Sequence, residues 1–331
     1  MEALDDRMRE RPRPPTRVVP PSSAELTVVV QGPVGAMTPG VLRQVREVLP
    51  QCELILSTWR GADLAECEPD TLLLNEDPGP TTSREVVSSV PNNVNRQIVS
   101  TRAGLLAGTR PLAMKLRSDQ LLLHDGALRL FRGWPARGEA VRVFEERIVA
   151  TLPYSFNPRR TYRRFLYMVS DWSHLGLRTD LLSLWAAPQY DTSYEWLLGR
   201  RVVTSEQWLW MSLLNAHGQG AAFDRADVLD HSEMSIANNV VLVEAEDFGV
   251  RLLKQGPHLG HRVNLYTHGE WSRLYARHCV GVRASRRDPQ AWLRTVADHV
   301  VVRGVGALVR GLPGDVDPLS RPQPPPTLPR M

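Results

Sequence analysis

The sequence has few cysteines and no long apolar run, and both shortages narrow the class of protein. Its three cysteines, Cys52, Cys67 and Cys279, show no metal-binding spacing, and a sparse, odd set is typical of reduced thiols in the cytosol. No apolar stretch reaches the roughly 18 residues that a membrane-spanning helix needs. The N-terminal residues also lack the apolar segment of a secretory signal. We therefore expect a soluble, cytoplasmic protein.

Two familiar nucleotide-binding motifs are missing as well. No Gly-x-Gly-x-x-Gly follows the first apolar run, and no Walker A lysine occurs in the chain. Their absence argues against a dinucleotide-dependent dehydrogenase and against a P-loop enzyme. Lysine itself is rare, because Lys115 and Lys254 are the only two in the chain. Every other residue in the combined count of Lys and Arg is an arginine.

Basic charge is concentrated towards the end of the chain. Residues 251–331 contain 13 Arg and Lys against 5 Asp and Glu, a balance of +8, so residues 1–250 carry −4 of the net charge of +4. A basic segment favours anionic membrane surfaces or nucleic acid. Residues 288–310 also have the pattern of an amphipathic helix with arginines on one face. We predict weak peripheral binding at the inner face of the plasma membrane and no nucleic-acid partner. The alternative is that this helix packs on the main domain, with its arginines in solvent.

The succession of apolar runs predicts an α/β fold. Short runs of β-branched and aliphatic residues predict strands at 26–30, 52–56, 71–74, 112–116, 165–169 and 238–243. Amphipathic or capped segments predict helices at 38–49, 92–107, 179–185 and 205–214. Short connections between these elements favour a mostly parallel sheet flanked by helices.

Changes in composition divide the chain into four parts. Residues 1–24 are rich in Pro and Arg and are predicted to be a disordered leader. Residues 25–250 form the main α/β domain, and residues 251–312 form a basic, helical extension. The Pro-rich residues 313–331 are predicted to be a disordered tail.

The segment 112–123 places charged residues inside an apolar run. Lys115, Arg117 and Asp119 lie within or directly after the predicted strand. An unpaired buried ion costs several kcal/mol, so a charge at the end of a core strand needs a partner or a ligand. Ligands of α/β sheets bind beyond the carboxyl ends of strands, where Asp119 is expected. The alternative, which this segment leaves open, is an ion pair of Asp119 with Lys115 or Arg117 that holds a loop.

Polar residues recur at the ends of the predicted strands. In a parallel sheet the carboxyl ends of the strands meet at one edge, so these residues are expected to converge on one cleft. Taken singly, each group is an ordinary set of turn residues, whereas the five together favour a binding site. They are Gln31-Gly32-Pro33, Ser57-Thr58-Trp59, Asn75-Glu76-Asp77, Arg117-Ser118-Asp119 and Ser170-Asp171-Trp172.

One face of the predicted helix 92–107 is polar. Asn93, Arg96, Gln97 and Ser100 are spaced so that they share one stripe. A stripe of this kind faces either solvent or a polar ligand. Solvent usually selects Glu and Lys there, so the amides favour a ligand.

Six short motifs occur in order along the chain: Val29-Val30-Gln31-Gly32-Pro33, Leu56-Ser57-Thr58-Trp59, Leu74-Asn75-Glu76-Asp77-Pro78-Gly79, Asn92-Asn93-Val94-Asn95-Arg96-Gln97, Lys115-Leu116-Arg117-Ser118-Asp119 and Ser170-Asp171-Trp172. Together they resemble the WavE lipopolysaccharide-synthesis family of bacterial glycosyltransferases. The resemblance runs from about Thr27 to about His231 and leaves the leader and the basic C-terminal segment outside. The family is similar in turn to GT-A glycosyltransferases, whose Rossmann-like sheet binds a sugar nucleotide. The resemblance therefore implies a GT-A-like α/β fold and a glycosyltransferase of lipopolysaccharide or other polysaccharide biosynthesis.

The resemblance also implies a role for Asp119 at the donor diphosphate. Asp119 matches the last acid of the DxD motif, which holds a divalent ion against the nucleotide diphosphate. His231 matches a late histidine that completes the metal site, whereas Arg117 stands where the motif has its first acid. Two interpretations follow: Mn²⁺ or Mg²⁺ binds at Asp119 and His231, or Arg117 and Lys115 neutralise the diphosphate directly.

Two acids are candidates for the catalytic base. The Ser205-Glu206-Gln207 start of a helix resembles the xED element that supplies the base in inverting enzymes, with Gln207 in place of its second acid. Glu206 or Asp171 is therefore expected to take the proton of the acceptor hydroxyl. The predicted donor site comprises Gln31, Gly32, Pro33, Ser57, Thr58, Asn75, Asp77, Asn93, Arg96, Lys115, Arg117 and Asp119.

Two other functions remain open. A sugar nucleotidyltransferase has a similar sheet but needs a basic, glycine-rich loop after the first strand, and residues 31–35 lack basic side chains. The other alternative is a catalytically silent protein that binds glycans or nucleotides, because the first acid of the DxD is missing. For a glycosyltransferase, the expected partners are a nucleotide-sugar donor and an acceptor. That acceptor is a cell-surface polysaccharide, a lipid-linked sugar or a small molecule.

Overall fold

A seven-stranded sheet lies at the centre of the protein. The structure is a computed structural model that describes residues 12–81, 92–161, 165–191, 204–252 and 264–282. Its strands are β1 (Leu26–Gln31), β2 (Glu53–Trp59), β3 (Thr71–Asn75), β4 (Leu112–Arg117), β5 (Gln120–Leu122), β6 (Ile148–Thr151), β7 (His174–Leu177), β8 (Val240–Val243) and β9 (Val250–Leu252). Its α-helices are α1 (Thr38–Val48), α2 (Val94–Ala107), α3 (Gly126–Leu130), α4 (Arg178–Leu184), α5 (Ser205–Ala216), α6 (Val228–Asn239), α7 (Ala245–Phe248) and α8 (His268–Tyr275).

The sheet is mixed, with the strand order β3-β2-β1-β4-β7-β6-β8. The four strands from β3 to β4 pair in parallel, and so do β6 and β8. β7 runs antiparallel to both of its neighbours, so the other six strands of this sheet share one direction. β5 and β9 pair separately as a small antiparallel ladder. The predicted α/β fold with a mostly parallel sheet flanked by helices is therefore confirmed.

The order of the strands reverses at β1. β2 and β3 lie on one side of β1 and β4 lies on the other, which leaves a crevice beyond the carboxyl ends of β1 and β4. Gln31 at the end of β1 pairs with Ser57 on one side and with Arg117 on the other. Ligands of open α/β sheets bind at such a switch point. The register thus brings two of the predicted polar groups, 31–33 and 117–119, to one place.

Helix α2 packs directly on β1 because Gly104 lacks a side chain. A Cβ atom at residue 104 would lie 2.3 Å from Cγ1 of Val29, which is closer than van der Waals contact allows. Val94, Ile98 and Leu105 fill the rest of the buried face of the helix. The close approach holds the polar residues of α2 against the ends of the central strands.

The predicted strand at 165–169 is wrong. Tyr167 has a φ of 58°, outside the strand region, and its backbone N–H donates to Oγ of Ser232 at 2.8 Å. The side chains from Leu166 to Val169 are nevertheless buried. An apolar run predicts burial, but it does not distinguish a strand from a packed loop. The strand is β7 instead, which begins at residue 174. Asp171 therefore precedes an antiparallel strand, which leaves it at the same edge of the sheet as the ends of β1 and β4.

The predicted boundaries after residues 24 and 250 do not coincide with the edge of the core. The backbone N–H of Thr16 donates to the carbonyl of Gly133 at 3.3 Å, so part of the predicted leader lies against the domain. At the other end, Trp271 and Tyr275 of α8 are buried in the same hydrophobic cluster as the strands. Outside the described residues lie the start of the leader, the predicted amphipathic helix and the tail: 1–11, 288–310 and 313–331. None of the described helices has the length and apolar character needed to cross a membrane.

Candidate active site

Two turns at the switch point are joined into one unit. Gly32 follows β1 with a φ of 121°, a conformation that favours glycine. A Cβ at this position would lie 3.0 Å from Oγ of Ser118, which donates to the carbonyl of Pro33 at 2.7 Å. The backbone N–H of Ser118 donates to the carbonyl of Gln31 at 2.9 Å. The predicted residues Gln31, Gly32 and Pro33 therefore lie beside the turn that carries Asp119.

Arg117 and Asp119 form the ion pair that was the alternative to a ligand site. Nε and Nη2 of Arg117 donate to the two oxygens of Asp119 at 2.9 and 3.0 Å. The two side chains are 29% and 16% exposed, so the pair borders solvent. The guanidinium also lies over the ring of Trp172, 5.0 Å from its centroid. Because a guanidinium has five N–H donors, the two bonds to Asp119 leave donors for an anionic ligand.

Lys115 is fully buried beneath the loop that carries Asp171. Its ammonium group donates to the carbonyls of Asp171 and Trp172, the latter at 3.1 Å, and to Oε1 of Gln97 at 3.3 Å. It also lies 5.0 Å from the centre of the Trp185 ring. Burial lowers the pKa of Lys115 to about 7, although the negative charge of Asp171 opposes this shift. We predicted a contact with the donor diphosphate, but the structure places this lysine inside the protein.

Asp171 is a buried acid whose two oxygens differ in their partners. The residue is 3% exposed, and its Oδ2 accepts a hydrogen bond from Nε2 of Gln97 at 2.6 Å. Oδ1 has no hydrogen-bond partner in the described part of the chain. The loop before β7 is held in place by His174, whose Nε2 donates to the carbonyl of Ser170 at 2.6 Å. A buried carboxylate oxygen without a partner is costly, and it is typical of a group kept for chemistry.

Glu206 lies in the first turn of α5, near enough to Asp171 for their charges to interact. The helix begins with the predicted capping box, in which Oγ1 of Thr204 accepts from the N–H of Gln207 at 3.3 Å. Glu206 is 8% exposed. Burial and then the negative charge of Asp171 raise the pKa of Glu206 to about 8. Its carboxyl group therefore carries a proton at neutral pH.

The polar stripe of α2 contacts polar groups at the strand ends. Arg96 donates from Nε and Nη2 to the two oxygens of Asp77, both at 2.7 Å, and from Nη1 to Oδ1 of Asn93 at 3.0 Å. Side chains of Arg96 and Asp77 are 32% and 38% exposed. Ser100 is fully buried and donates to Oε1 of Gln31 at 2.8 Å. The stripe thus borders the switch point, with Arg96 and Asp77 at its solvent side.

Ser57 and Thr58 are enclosed within the sheet. The strand predicted to end at residue 56 continues as β2 to Trp59, so both side chains are fully buried. Nδ2 of Asn75 donates to Oγ of Ser57 and to the carbonyl of Thr58, both at 2.9 Å. The predicted base and ribose pocket therefore cannot be lined by these two side chains. Their role in this structure is to tie β2 to β3.

The family model for WavE lipopolysaccharide synthesis matches residues 26–305 of the chain. The chain belongs to the WavE family. The match continues past residue 231, where the resemblance was expected to end, and it includes residues 251–305 of the basic segment that we placed outside the family.

Among solved structures, one that is similar to this WavE chain is the galactosyltransferase LgtC in complex with donor and acceptor sugar analogues. The two share 10% identity with a TM-score of 0.33, over 82% of this chain and 99% of that chain. No curated protein matches the chain.

The residues that we predicted as metal ligands in this WavE protein do not fit a divalent ion as they lie. Both oxygens of Asp119 are bonded to Arg117. Nδ1 of His231 is hydrogen-bonded to the hydroxyl of Tyr167 at 2.9 Å. Across the described ranges, no group of three or more His, Cys, Asp or Glu side chains is placed to hold a metal ion. Arg117 is a partly exposed positive charge at this edge of the sheet.

The sequence analysis did not single out Tyr154, which lies near the two acids of this WavE protein. Its ring lies 5.3 Å from the ring of Trp172, and its backbone has a φ of 66°. Burial raises the pKa of the Tyr154 phenol, and the negative charges of Glu206 and Asp171 raise it further. The phenol is therefore a neighbour of both acids. The available signal was a tyrosine three residues after the end of β6.

Proposed function

We propose that this WavE protein transfers a sugar from a nucleotide-sugar donor to a glycan or lipid-linked acceptor in lipopolysaccharide synthesis. The observation that carries the proposal is the presence of two buried acids, Asp171 and Glu206, whose charges interact, with Asp171 also near the guanidinium of Arg117. Glycosyl transfer needs a group that accepts the proton of the acceptor hydroxyl and positive charge against the leaving diphosphate. Asp171 and Arg117 have the chemistry that these two roles require, and membership of a lipopolysaccharide-synthesis family supports the class of product.

Asp171 is the better candidate for the base. Glu206 carries a proton at neutral pH because of its burial and of the neighbouring charge, so it cannot accept another. Oδ1 of Asp171 lacks a partner among the described residues and is therefore the atom that would receive the proton. In this reaction the acceptor oxygen bonds to the sugar carbon, the bond to the nucleotide breaks, and the hydroxyl proton passes to Asp171. Arg117 stabilises the negative charge that develops on the leaving group.

The donor is expected at the crevice between β1 and β4. The 31–33 turn and the partly exposed Arg96 border this crevice, and Arg117 lies at its edge. Asn75, Asp77 and Asn93 support Arg96 and the end of β3, so their contribution to donor binding is indirect in this arrangement.

A panel of UDP-, GDP-, dTDP- and CMP-sugars tests the proposal directly. The purified protein is incubated with each donor, with and without Mn²⁺ and with and without deacylated lipopolysaccharide as acceptor, and nucleotide release is measured. For the active donor, Asp171→Asn should lower turnover by about 10²–10⁴-fold, because the asparagine amide cannot take a proton. Its melting temperature should change little, since the amide retains the shape of the carboxylate.

Asp180→Asn is the matched control for this variant. Asp180 is also a buried acid, but its oxygens accept from the backbone N–H groups of Glu145 and Glu146, at 2.9 and 3.0 Å, away from the two acids of the site. It should lose stability and keep the turnover of the folded protein. Full turnover in Asp171→Asn would exclude Asp171 as the base. Turnover of a sugar 1-phosphate with a nucleoside triphosphate would identify a nucleotidyltransferase instead, and donor binding without turnover would identify a silent binding protein.

A further inference from the structure

A pair of partly exposed aromatic rings borders the acids on the side away from β1. Tyr154 follows β6 and Trp172 precedes β7, and their ring centroids lie 5.3 Å apart with 33° between the ring planes. Because β7 and β6 lie on the far side of β4 from β1, this pair and the switch-point crevice lie on opposite sides of the β4 end. Asp171 is the neighbour of Trp172 in the chain and lies between the two regions.

Hydrogen bonds hold the backbone of Trp172, and its ring contacts Arg117. The backbone carbonyl of Trp172 accepts from Nζ of Lys115 at 3.1 Å, and its backbone N–H donates to Oγ of Ser170 at 3.3 Å. The guanidinium of Arg117, itself paired with Asp119, lies over the ring at 5.0 Å. The guanidinium covers part of one face of the ring and restrains it, which lowers the side-chain entropy lost when a ligand packs against the rest of the ring.

The surrounding loop also fixes Tyr154, in a backbone conformation that a tyrosine rarely adopts. Its φ of 66° is in the left-handed region. On one side, the N–H of Leu152 donates to the carbonyl of Val243 at 2.8 Å. On the other, Oγ of Ser155 accepts from the N–H of Ser170 at 2.9 Å, which ties the Tyr154 loop to the loop that carries Trp172. Strained residues that their surroundings hold in place cluster at ligand sites.

Partly exposed aromatic rings beside a proton acceptor match the chemistry of a sugar. One face of a pyranose ring is made of C–H groups, which pack against the electron-rich face of an aromatic ring, while its hydroxyls project towards polar groups. Trp172 directly follows Asp171 in the chain, so a sugar on these rings lies near that acid. A nucleotide base also stacks on aromatic rings, but the crevice that suits a nucleotide lies on the other side of Asp171.

We propose that Tyr154 and Trp172 form a stacking platform for a pyranose ring of the acceptor glycan, beside Asp171. The assignment of this sugar to the acceptor rests on the proposed glycosyltransferase function, whereas saccharide binding by the platform does not. Binding energy comes from the packed ring faces, and the phenolic hydroxyl is secondary.

Saccharide binding without turnover tests the platform. Dissociation constants are measured by saturation-transfer NMR for methyl galactoside, methyl glucoside and deacylated lipopolysaccharide. Tyr154→Gly removes the ring and leaves a residue that accepts a φ of 66° without strain. Tyr154→Phe keeps the ring and removes the hydroxyl. We expect about tenfold weaker saccharide binding for Tyr154→Gly and for Trp172→Ala, and less than about a twofold change for Tyr154→Phe.

Phe223→Ala is the matched control, because Phe223 is also a partly exposed aromatic residue but packs against Tyr167. Its saccharide binding should equal that of the unchanged protein. Binding of UDP and GDP should be unchanged in Phe223→Ala and in both Tyr154 variants. Trp172→Ala also removes the ring under the guanidinium of Arg117, so only the Tyr154 variants are used for the nucleotide comparison. If Trp172→Ala does not fold, the comparison of Tyr154→Gly with Tyr154→Phe decides the matter alone.

Three results would overturn the platform. The first is no saccharide binding by the unchanged protein, and the second is equal binding by Tyr154→Gly and the unchanged protein. The third is a loss of nucleotide binding in place of saccharide binding, which would assign the rings to the donor base. Failure of the glycosyltransferase proposal is a separate outcome, seen when no sugar nucleotide is turned over. The saccharide measurements still decide the platform in that case.

Discussion

At the scale of single residues, the two acids of the site differ because of what surrounds them. Asp171 accepts a hydrogen bond from Gln97 through one oxygen. Glu206 is buried in the first turn of α5, where the charge of Asp171 adds to the effect of burial on its pKa. When two carboxyl groups interact in this way, the charge of one opposes ionisation of the other, and here that effect adds to burial in raising the pKa of Glu206.

Glu206 should set the alkaline limit of activity. Its pKa of about 8 means that a second negative charge appears beside Asp171 as the pH rises through this value. That charge opposes the binding of an anionic donor, so turnover should fall above about pH 8. Glu206→Gln imitates the protonated form and should keep activity near pH 7 and lose the alkaline decline. The measurement is kcat/KM for the donor between pH 6 and 9.5, in both proteins.

The pH dependence of the free energy of unfolding gives a second readout for Glu206. Its pKa is raised in the folded protein, so the native state binds more protons than the unfolded chain between its ordinary value of 4.5 and about 8, and stability falls as the pH rises through this window. Glu206→Gln should lack this contribution. An unchanged pH profile for both activity and stability in the variant would contradict the assignment.

Lys115 should have the opposite effect, a contribution to stability that increases above neutral pH. Its pKa is about 7 in the folded protein against an ordinary value of 10.5, so the unfolded chain binds more protons between these two values. The free energy of unfolding therefore rises with pH across this window, by at most about 1.4 kcal/mol per pH unit. We expect Lys115→Met to lack this rise.

Urea unfolding of both proteins at several pH values from 7 to 10 measures the effect. The difference between the two curves removes the contributions of the other titrating groups, among them Cys52, whose pKa burial raises to about 11. A difference that stays constant with pH would show that Lys115 has the same pKa in both states. Loss of turnover in Lys115→Met at unchanged donor affinity would show, in addition, that the lysine acts by positioning the loop of Asp171.

At the scale of elements, α2 and β7 position the site. α2 reaches the strand ends because Gly104 lets it approach β1, and its polar stripe then meets Gln31, Asp77 and Asp171. β7 runs against its neighbours, so the residues that precede it lie at the carboxyl edge of the other strands. An antiparallel strand can therefore supply a catalytic loop from its N-terminal end.

Arg96 on α2 should contribute to donor binding. It is partly exposed at the edge of the crevice, and its bonds to Asp77 and Asn93 orient the guanidinium. If it makes a charged hydrogen bond to the donor, Arg96→Ala should weaken donor binding by about 1.5–3 kcal/mol. Arg102→Ala is the control, since Arg102 is an exposed arginine of the same helix. Calorimetric titration of both variants measures the change, and equal affinities would place Arg96 outside the donor site.

At the scale of the whole molecule, the core extends beyond the domain limits that composition predicted. Trp271 and Tyr275 are buried with the strands of the sheet, and β9 pairs with β5. The family match also extends to residue 305. Residues 264–282 are therefore part of the main fold, and the basic charge after residue 251 is partly carried by it.

We propose, from charge alone, that the basic end of the chain binds anionic membranes from the cytoplasmic side. The balance of +8 over residues 251–331 supports this. Each arginine near an anionic surface contributes about 1 kcal/mol, so replacing Arg286, Arg287 and Arg294 by glutamine should weaken binding by up to about 100-fold. Co-sedimentation with vesicles containing phosphatidylglycerol, at low and at high salt, measures the change.

The matched control replaces Arg43, Arg60 and Arg102, which are exposed arginines of the acidic part of the chain. It should bind vesicles as the unchanged protein does. Equal losses in both triple variants would show a general effect of net charge, and no binding at low salt would remove the membrane role.

Local sequence was sufficient for the family and for the strands β1 to β4 and β8, whereas β6 and β7 were not predicted. Runs of β-branched residues followed by turn formers report a buried parallel strand and its end, since both depend on neighbours in the chain. The capping box of α5 and the polar stripe of α2 were visible for the same reason. Tertiary structure alone decided which of these residues are open to a ligand.

The ammonium group of buried Lys115 is bonded to carbonyls that follow it by 56 and 57 residues in the chain. The side chain of Ser57 is excluded from the predicted base and ribose pocket because β2 continues past its predicted end. The contact of Tyr154 with Trp172 depends on the pairing of β6 with a reversed β7. Such contacts come from the packing of segments that are distant in the chain, and no local pattern records them.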